Sequence, residues 1–169
     1  MDGSFKIHGS SFKATQNNII EIEADSFAAT LLMPSEEFKS FCFKKSFSFK
    51  LIESLSKHFK VSFTSALIRF VDDDAGTYPL MISFFRDGLL SGYTQSKDFR
   101  YKNIPFKSKI GHPPPPTSVI GNYYKEKLSK PIGVMEISTD DWFYVQPEEM
   151  YEQCFYSDYG YDVSVIWLD

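Results

Sequence analysis

Two acidic residues near the start of the chain, Glu21 and Asp25, have the spacing of a metal site carried on a helix. Because they are four positions apart, their side chains leave a helix on the same side. A zinc site that uses the two histidines of HExxH commonly takes its third ligand from a carboxylate on another helix and leaves one position for water. Glu21 could be that ligand, and Asp25 could hydrogen-bond the free ring nitrogen of a zinc-bound histidine.

The same pair also has a structural interpretation. Asn18 is a suitable N-cap, so Glu21 three positions later would complete a capping box, and Asp25 would be a solvated helix charge. The predicted helix ends before Pro34, and its apolar residues share one face: Ile20, Ala24, Phe27 and Leu31. Residues 1–17 show no periodicity and are expected to form an exposed lead-in.

A resemblance favours the metal interpretation. The run EIEADSFAATLLMP, residues 21–34, resembles the E-x-E-A-N-x-F-A-A-x-L-L-M-P signature of the ImmA/IrrE metallopeptidases, with Asp25 where Asn is usual. Ile7-His8-Gly9 is similar to the L-H-G that comes after HExxH in this family. The segment LSKHFKVSFTSALIRFV resembles its middle helical segment, and FYSDYGYDVSVIWL resembles the terminal hairpin of its longer members.

The resemblance implies a zinc peptidase domain, a helix-turn-helix-like middle and a GAF-like C-terminal domain proposed to sense a signal. It places Glu21 at the third-ligand position, and we infer that Asp25 hydrogen-bonds a ligand histidine. The family's substrates include repressors with helix-turn-helix domains, whose cleavage switches on stress or mobile-element genes. The partners implied for this chain are therefore a protein, such as a helix-turn-helix repressor, and a small-molecule ligand of the C-terminal domain.

The three histidines, His8, His58 and His112, are not paired as HExxH, so the sequence lacks two zinc ligands and the glutamate that would activate water. Because zinc needs about three protein ligands to lower the pKa of its water, we expect this chain to bind zinc weakly and to be inactive alone. We interpret it as a truncated, C-terminal portion of a family member. His8 adds at most one ligand, and His58 and His112 are expected at the surface.

The sequence predicts an α+β fold in three segments: a remnant of a zincin-like peptidase domain over residues 1–34, helix-turn-helix-like helices over 35–75, and a GAF-like, mainly antiparallel sheet over 76–169. In the middle segment, apolar residues recur at helical spacing and Ser62 is a predicted N-cap. Arg69 is almost the only side chain there that could read DNA, and Asp72, Asp73 and Asp74 would repel phosphate. A structural helix pair is favoured.

The C-terminal segment has period-two patterning. Residues 78–85 and 89–94 predict a hairpin closed by Arg86-Asp87-Gly88. Met150–Tyr156 and Tyr161–Leu168 predict a second hairpin, and Ile132–Ile137 another strand. Pro113–Pro116 is interpreted as a spacer rather than a ligand of a proline-reading domain, and a short helix is predicted from Ser118 to Leu128.

A second hypothesis is a non-catalytic sensor or protein-interaction module. The chain has 17 Phe and 10 Tyr, and some rings could line a pocket for a small molecule or a partner, although core packing is favoured: Tyr93, Trp142, Tyr144 and Trp167. The net charge of −4 predicts no strong binding to DNA. Two cysteines without CxxC spacing and no long apolar run predict a cytoplasmic protein without a membrane span.

Overall fold

The computed structural model describes residues 4–7, 10–13, 28, 31–72, 79–99, 104–126, 133–157 and 160–168, with the first two ranges described by backbone alone. Its helices are α1 Ser35–Cys42, α2 Phe49–Phe59, α3 Phe63–Asp72, α4 Val119–Lys125 and α5 Thr139–Trp142. Its strands are β1 Ser4–Ile7, β2 Ser10–Lys13, β3 Leu80–Arg86, β4 Leu89–Gln95, β5 Met135–Ser138, β6 Glu149–Tyr156 and β7 Asp162–Trp167.

The strands form one antiparallel sheet in the order β1-β2-β4-β3-β7-β6-β5. The five C-terminal strands are contiguous, and the β1–β2 hairpin joins them through the pairing of Lys13 with Tyr93. The prediction of an unstructured lead-in over residues 1–17 was therefore wrong for β1 and β2. Polar and apolar residues alternate over only the four residues of β1 and do not alternate throughout β2, so the pattern is too short to distinguish a strand from a loop.

Both faces of the sheet are covered. Because successive side chains on a strand point to opposite sides, each face contributes its own set of residues to a buried cluster. Helices α1 to α3 pack on one face, against a cluster that includes Leu80, Ile82, Val165 and Trp167. The other face carries Met81, Phe85 and Ile166 and is covered by α4, α5 and the residues that connect them to β4. The helices and the sheet thus share buried apolar contacts.

Turn and cap residues explain where these elements begin and end. Asp87 and Gly88 have φ of 53° and 76°, the left-handed values that a tight Asp-Gly hairpin turn needs, so the predicted turn between β3 and β4 is confirmed. The Ser62 hydroxyl accepts a hydrogen bond from the Ser65 backbone N–H at 3.0 Å, which confirms the predicted cap of α3. Ser48 caps α2 in the same way, from Leu51 N–H at 3.1 Å.

The remaining predicted elements are shifted by a few residues. The strand predicted over Ile132–Ile137 is β5, Met135–Ser138, and the helix predicted from Ser118 to Leu128 is α4, Val119–Lys125. The terminal hairpin is formed by β6 and β7. The four-residue helix α5 was not predicted; a capping box between Ser138 and Asp141 starts it.

The α+β class is confirmed, with N-terminal helices that precede the main antiparallel sheet. The zincin remnant, the GAF-like assignment and the boundaries at residues 34 and 75 stay predictions. In the described ranges, every helix is too short or too polar to cross a bilayer.

Candidate functional site

The predicted metal-site residues Glu21 and Asp25, together with His8, lie outside the residues whose side chains the structure describes. Of the helix that would carry both carboxylates, Ala28, Leu31 and Leu32 are described and helical. Leu31 was assigned to the apolar face of this helix, yet its side chain is 70% exposed.

The chain enters the core directly after this helix. Met33 and Phe38 are fully buried among the residues between α1–α3 and the sheet. Arg69 Nη2, near the end of α3, donates to Ser35 Oγ at the start of α1 at 2.7 Å, and its guanidinium carbon lies 5.9 Å from the Phe38 ring centroid. The segment directly after the Glu21 helix is therefore fixed to the helical layer.

The same contacts fix the position of Arg69, which is by sequence almost the only side chain of the middle segment able to read DNA. Arg69 is 7% exposed and its guanidinium binds within the protein. Because a base-reading arginine must reach the DNA groove, the buried position of Arg69 fits a structural role in joining α3 to α1. Weak DNA binding by the whole chain stays a prediction.

The two described histidines, His58 and His112, do not form a metal-binding cluster with acidic residues. His58 Nε2 lies 2.8 Å from Glu37 Oε1 in an exposed pair, and its ring packs 4.7 Å from Phe59. His112 is exposed, and its carbonyl accepts a hydrogen bond from the Leu90 N–H. Within the described ranges, His, Cys, Asp and Glu side chains form no group of three or more suited to a metal. These residues do not fit a zinc ion.

The four rings considered for a pocket are not brought together. Trp142 is fully buried beside Phe106, which contacts half-buried Tyr93, on one face of the sheet. Trp167 is 8% exposed on the opposite face, against the helices. Tyr144 is 68% exposed. Three of the four therefore pack in the core rather than around a common cavity.

A buried carboxylate that sequence reasoning missed lies on the face of the sheet that carries α4. Glu152, on β6, is fully buried. Its oxygens accept hydrogen bonds from Val119 N–H at 2.9 Å, Ile120 N–H at 3.2 Å and Trp142 Nε1–H at 3.0 Å. Ser164 Oγ donates to it at 2.7 Å. The sequence did carry one indication of this burial. Glu152 lies two residues from both Met150 and Cys154, so all three side chains point to the same, buried face of the strand.

This carboxylate holds α4 against the sheet. It accepts hydrogen bonds from the first backbone N–H groups of the helix, as a capping side chain does. Burial raises the pKa of the Glu152 carboxyl, while its hydrogen bonds with Trp142 and Ser164 and with the backbone oppose that rise. Burial next to this group also raises the pKa of the Cys154 thiol.

A groove runs along the β5 edge of the sheet, with a volume of about 560 Å³. Strand β5, the start of α4 and the residues just before β6 form its walls: Thr117, Val119, Asn122, Met135, Glu136, Ile137, Ser138, Asp141, Pro147, Glu148 and Glu149. Four of these described lining residues are acidic and none is Lys or Arg. The groove contains none of the residues predicted for a site.

A comparison with protein-family models matches residues 3–71 to the IrrE N-terminal-like domain. The match spans the signature run with Glu21 and Asp25, and it extends through α1, α2 and almost all of α3. No curated protein matches the chain. The N-terminal portion of the chain, residues 3–71, is therefore similar to the N-terminal domain of ImmA/IrrE-type proteins.

Proposed function

We propose that this chain works in an ImmA/IrrE-type regulatory system, in which a zinc endopeptidase cleaves helix-turn-helix repressors, and that it does not hydrolyse peptide bonds by itself. The observation that carries the proposal is the family match over residues 3–71, which contains Glu21 but no HExxH. In a complete site, zinc would polarise the scissile carbonyl and activate water. Glu21 would be one ligand, and Asp25 would orient a histidine.

Contacts among the described residues support a regulatory use of the helices α1–α3 and the sheet. Met33 and the Arg69–Ser35 hydrogen bond fix the end of the Glu21 segment to the helices, and those helices pack on the C-terminal sheet. A ligand or partner that shifts the sheet would therefore also shift the support of the Glu21 segment. Because FYSDYGYDVSVIWL resembles the terminal hairpin of the family's longer members, we propose that the sheet is a GAF-like domain and that the protein is cytoplasmic.

A cleavage assay tests the catalytic part of the proposal. The purified chain is incubated with fluorescein-labelled casein and zinc chloride, with thermolysin as the positive control. We expect the rate to equal that measured with a chelator, because one carboxylate cannot hold zinc as an active ion. Zinc-dependent cleavage that Glu21→Gln abolishes and Glu37→Gln preserves would contradict the proposal.

The second candidate function is a protein-interaction module, and the groove at the β5 edge is the observation that favours it. The rings considered for a small-molecule pocket pack mainly in the core. For a small-molecule sensor, a metabolite should raise the melting temperature of the purified chain, because ligands that bind only the folded state stabilise it. No shift across a metabolite library would leave the interaction module as the better alternative.

A further inference from the structure

We infer that the groove at the β5 edge binds an extended basic peptide segment of a partner protein, which adds as a strand beside β5. The inference rests on the second candidate function, for which it names the partner's chemistry, and it does not depend on whether the chain binds zinc. It rests on the backbone of β5, on the charge of the groove and on its apolar residues.

Strand β5 ends the order of the sheet, so among the described strands it pairs on its β6 side alone. Thr139 N–H donates to Glu148 C=O at 2.8 Å, one position beyond the Ser138–Glu149 pair. Because hydrogen-bonded and non-hydrogen-bonded pairs alternate in an antiparallel ladder, the backbone N–H and C=O of Glu136 point away from β6. The Ser138 N–H, which this alternation also directs outward, is bound by Asp141 Oδ2 at 3.1 Å.

The side chains of the groove specify the occupant. Its four acidic lining residues, Glu136, Asp141, Glu148 and Glu149, favour lysine or arginine at positions that reach them. The apolar surface of the groove comes from the half-exposed side chain of Met135 and from partly buried Ile137, beside the nearly buried Val119. An extended peptide with alternating basic and apolar residues would match both the acidic and the apolar residues of the groove, because successive side chains of a strand point in opposite directions. The four residues of β5 offer about 14 Å of edge, enough for roughly four peptide residues.

A second copy of the chain fits this edge less well. Pairing of two β5 strands about a twofold axis would bring the acidic residues of both edges together, and like charges opposite each other destabilise a ladder. Charge on an edge strand can also serve only to prevent aggregation. That role predicts no affinity for a peptide of either sign.

Fluorescence anisotropy tests the inference on the full chain. The probe is a fluorescein-labelled octapeptide of alternating lysine and valine, compared with a glutamate–valine octapeptide and with a lysine–valine peptide N-methylated on alternate residues. We expect the glutamate–valine peptide not to bind, and the N-methylated peptide to bind roughly tenfold more weakly than its parent, because it cannot complete the edge hydrogen bonds. Absence of binding by the parent peptide would overturn the inference. Equal binding of the parent and N-methylated peptides would also overturn it, because general charge attraction would then explain the affinity.

Two matched variants locate the site. Glu136→Lys should weaken binding of the lysine–valine peptide roughly tenfold, whereas Glu53→Lys, an equal charge change on an exposed position of α2, should change it less than about twofold. Equal losses in both variants would overturn the inference. Circular dichroism checks folding, and if Glu136→Lys unfolds the chain, the N-methylated peptide still decides. A dimer in sedimentation velocity that Glu136→Lys abolishes would assign the groove to a second copy and overturn the inference.

Discussion

Replacement of Glu152 by alanine should destabilise the fold strongly. The change leaves the Val119, Ile120 and Trp142 N–H groups buried without their acceptor and opens a cavity. We expect the free energy of unfolding to fall by about 3 kcal/mol or more in chemical denaturation. Glu149→Ala, on an exposed position of the same strand, is the control and should cost less than about 1 kcal/mol. Similar losses in both variants would contradict the structural role of Glu152.

The pH dependence of stability should report the same group. Burial raises the pKa of folded Glu152 above the ordinary value of 4.5, so the folded state keeps its proton to higher pH than the unfolded chain. The stabilising contribution of Glu152 is therefore fully present below pH 4.5 and is lost as the pH rises through the pKa of the folded state. Glu152→Gln does not titrate, so its unfolding free energy relative to wild type should improve as the pH rises. An unchanged difference between pH values near 5 and 8 would contradict this.

Gly121 is required by a close backbone approach rather than by a turn. A Cβ at this position would lie 2.1 Å from the Pro115 carbonyl oxygen. Gly121→Ala should therefore lower the free energy of unfolding by about 2 kcal/mol, although alanine normally favours a helix. Gly133→Ala meets no atom within 4 Å and is the control, with an expected change below about 1 kcal/mol. Equal thermal stability of the two variants would show that the Pro113–Pro116 segment moves away from α4.

Among the secondary-structure elements, α3 depends on a cap that the sequence predicts. Ser62→Ala removes the acceptor of the Ser65 N–H and should lower the free energy of unfolding by about 1 kcal/mol. Ser54 lies in the middle of α2 and its hydroxyl donates to the Lys50 carbonyl, so Ser54→Ala should be neutral or slightly stabilising. Denaturant midpoints of the two variants provide the measurement. An equal effect of both changes would mean that the cap does not contribute.

Elements with a strong local signal were predictable. The Asp87-Gly88 turn depends on positive φ angles that few other residues adopt, and the structure has them. The Ser62 cap depends on a side-chain acceptor that few other residues provide, and the structure has it as well. The β1–β2 hairpin was missed because its strands are four residues long and because β2 pairs with β4, which lies far along the chain. Glu152 was missed because a carboxylate is normally exposed, and only the tertiary position of Val119 and Trp142 makes its burial favourable.

In the whole molecule, the α1–α3 layer connects the end of the predicted metal segment to the sheet. The buried side chain of Met33 and the Arg69–Ser35 hydrogen bond fix the residues that follow this segment to the helices. The zinc chemistry itself requires two further histidines beside Glu21, and the sequence does not contain them as HExxH.

Zinc stoichiometry tests most directly whether this chain can hold a catalytic metal ion. The metal-free chain is dialysed against buffered zinc, and the zinc bound per chain is measured by inductively coupled plasma mass spectrometry, for the wild type and for Glu21→Gln. We expect well below one equivalent for both proteins, because a single carboxylate with at most one further imidazole ligand cannot hold the ion tightly. One tightly bound equivalent in the wild type that Glu21→Gln removes would contradict this expectation and the proposed lack of catalysis.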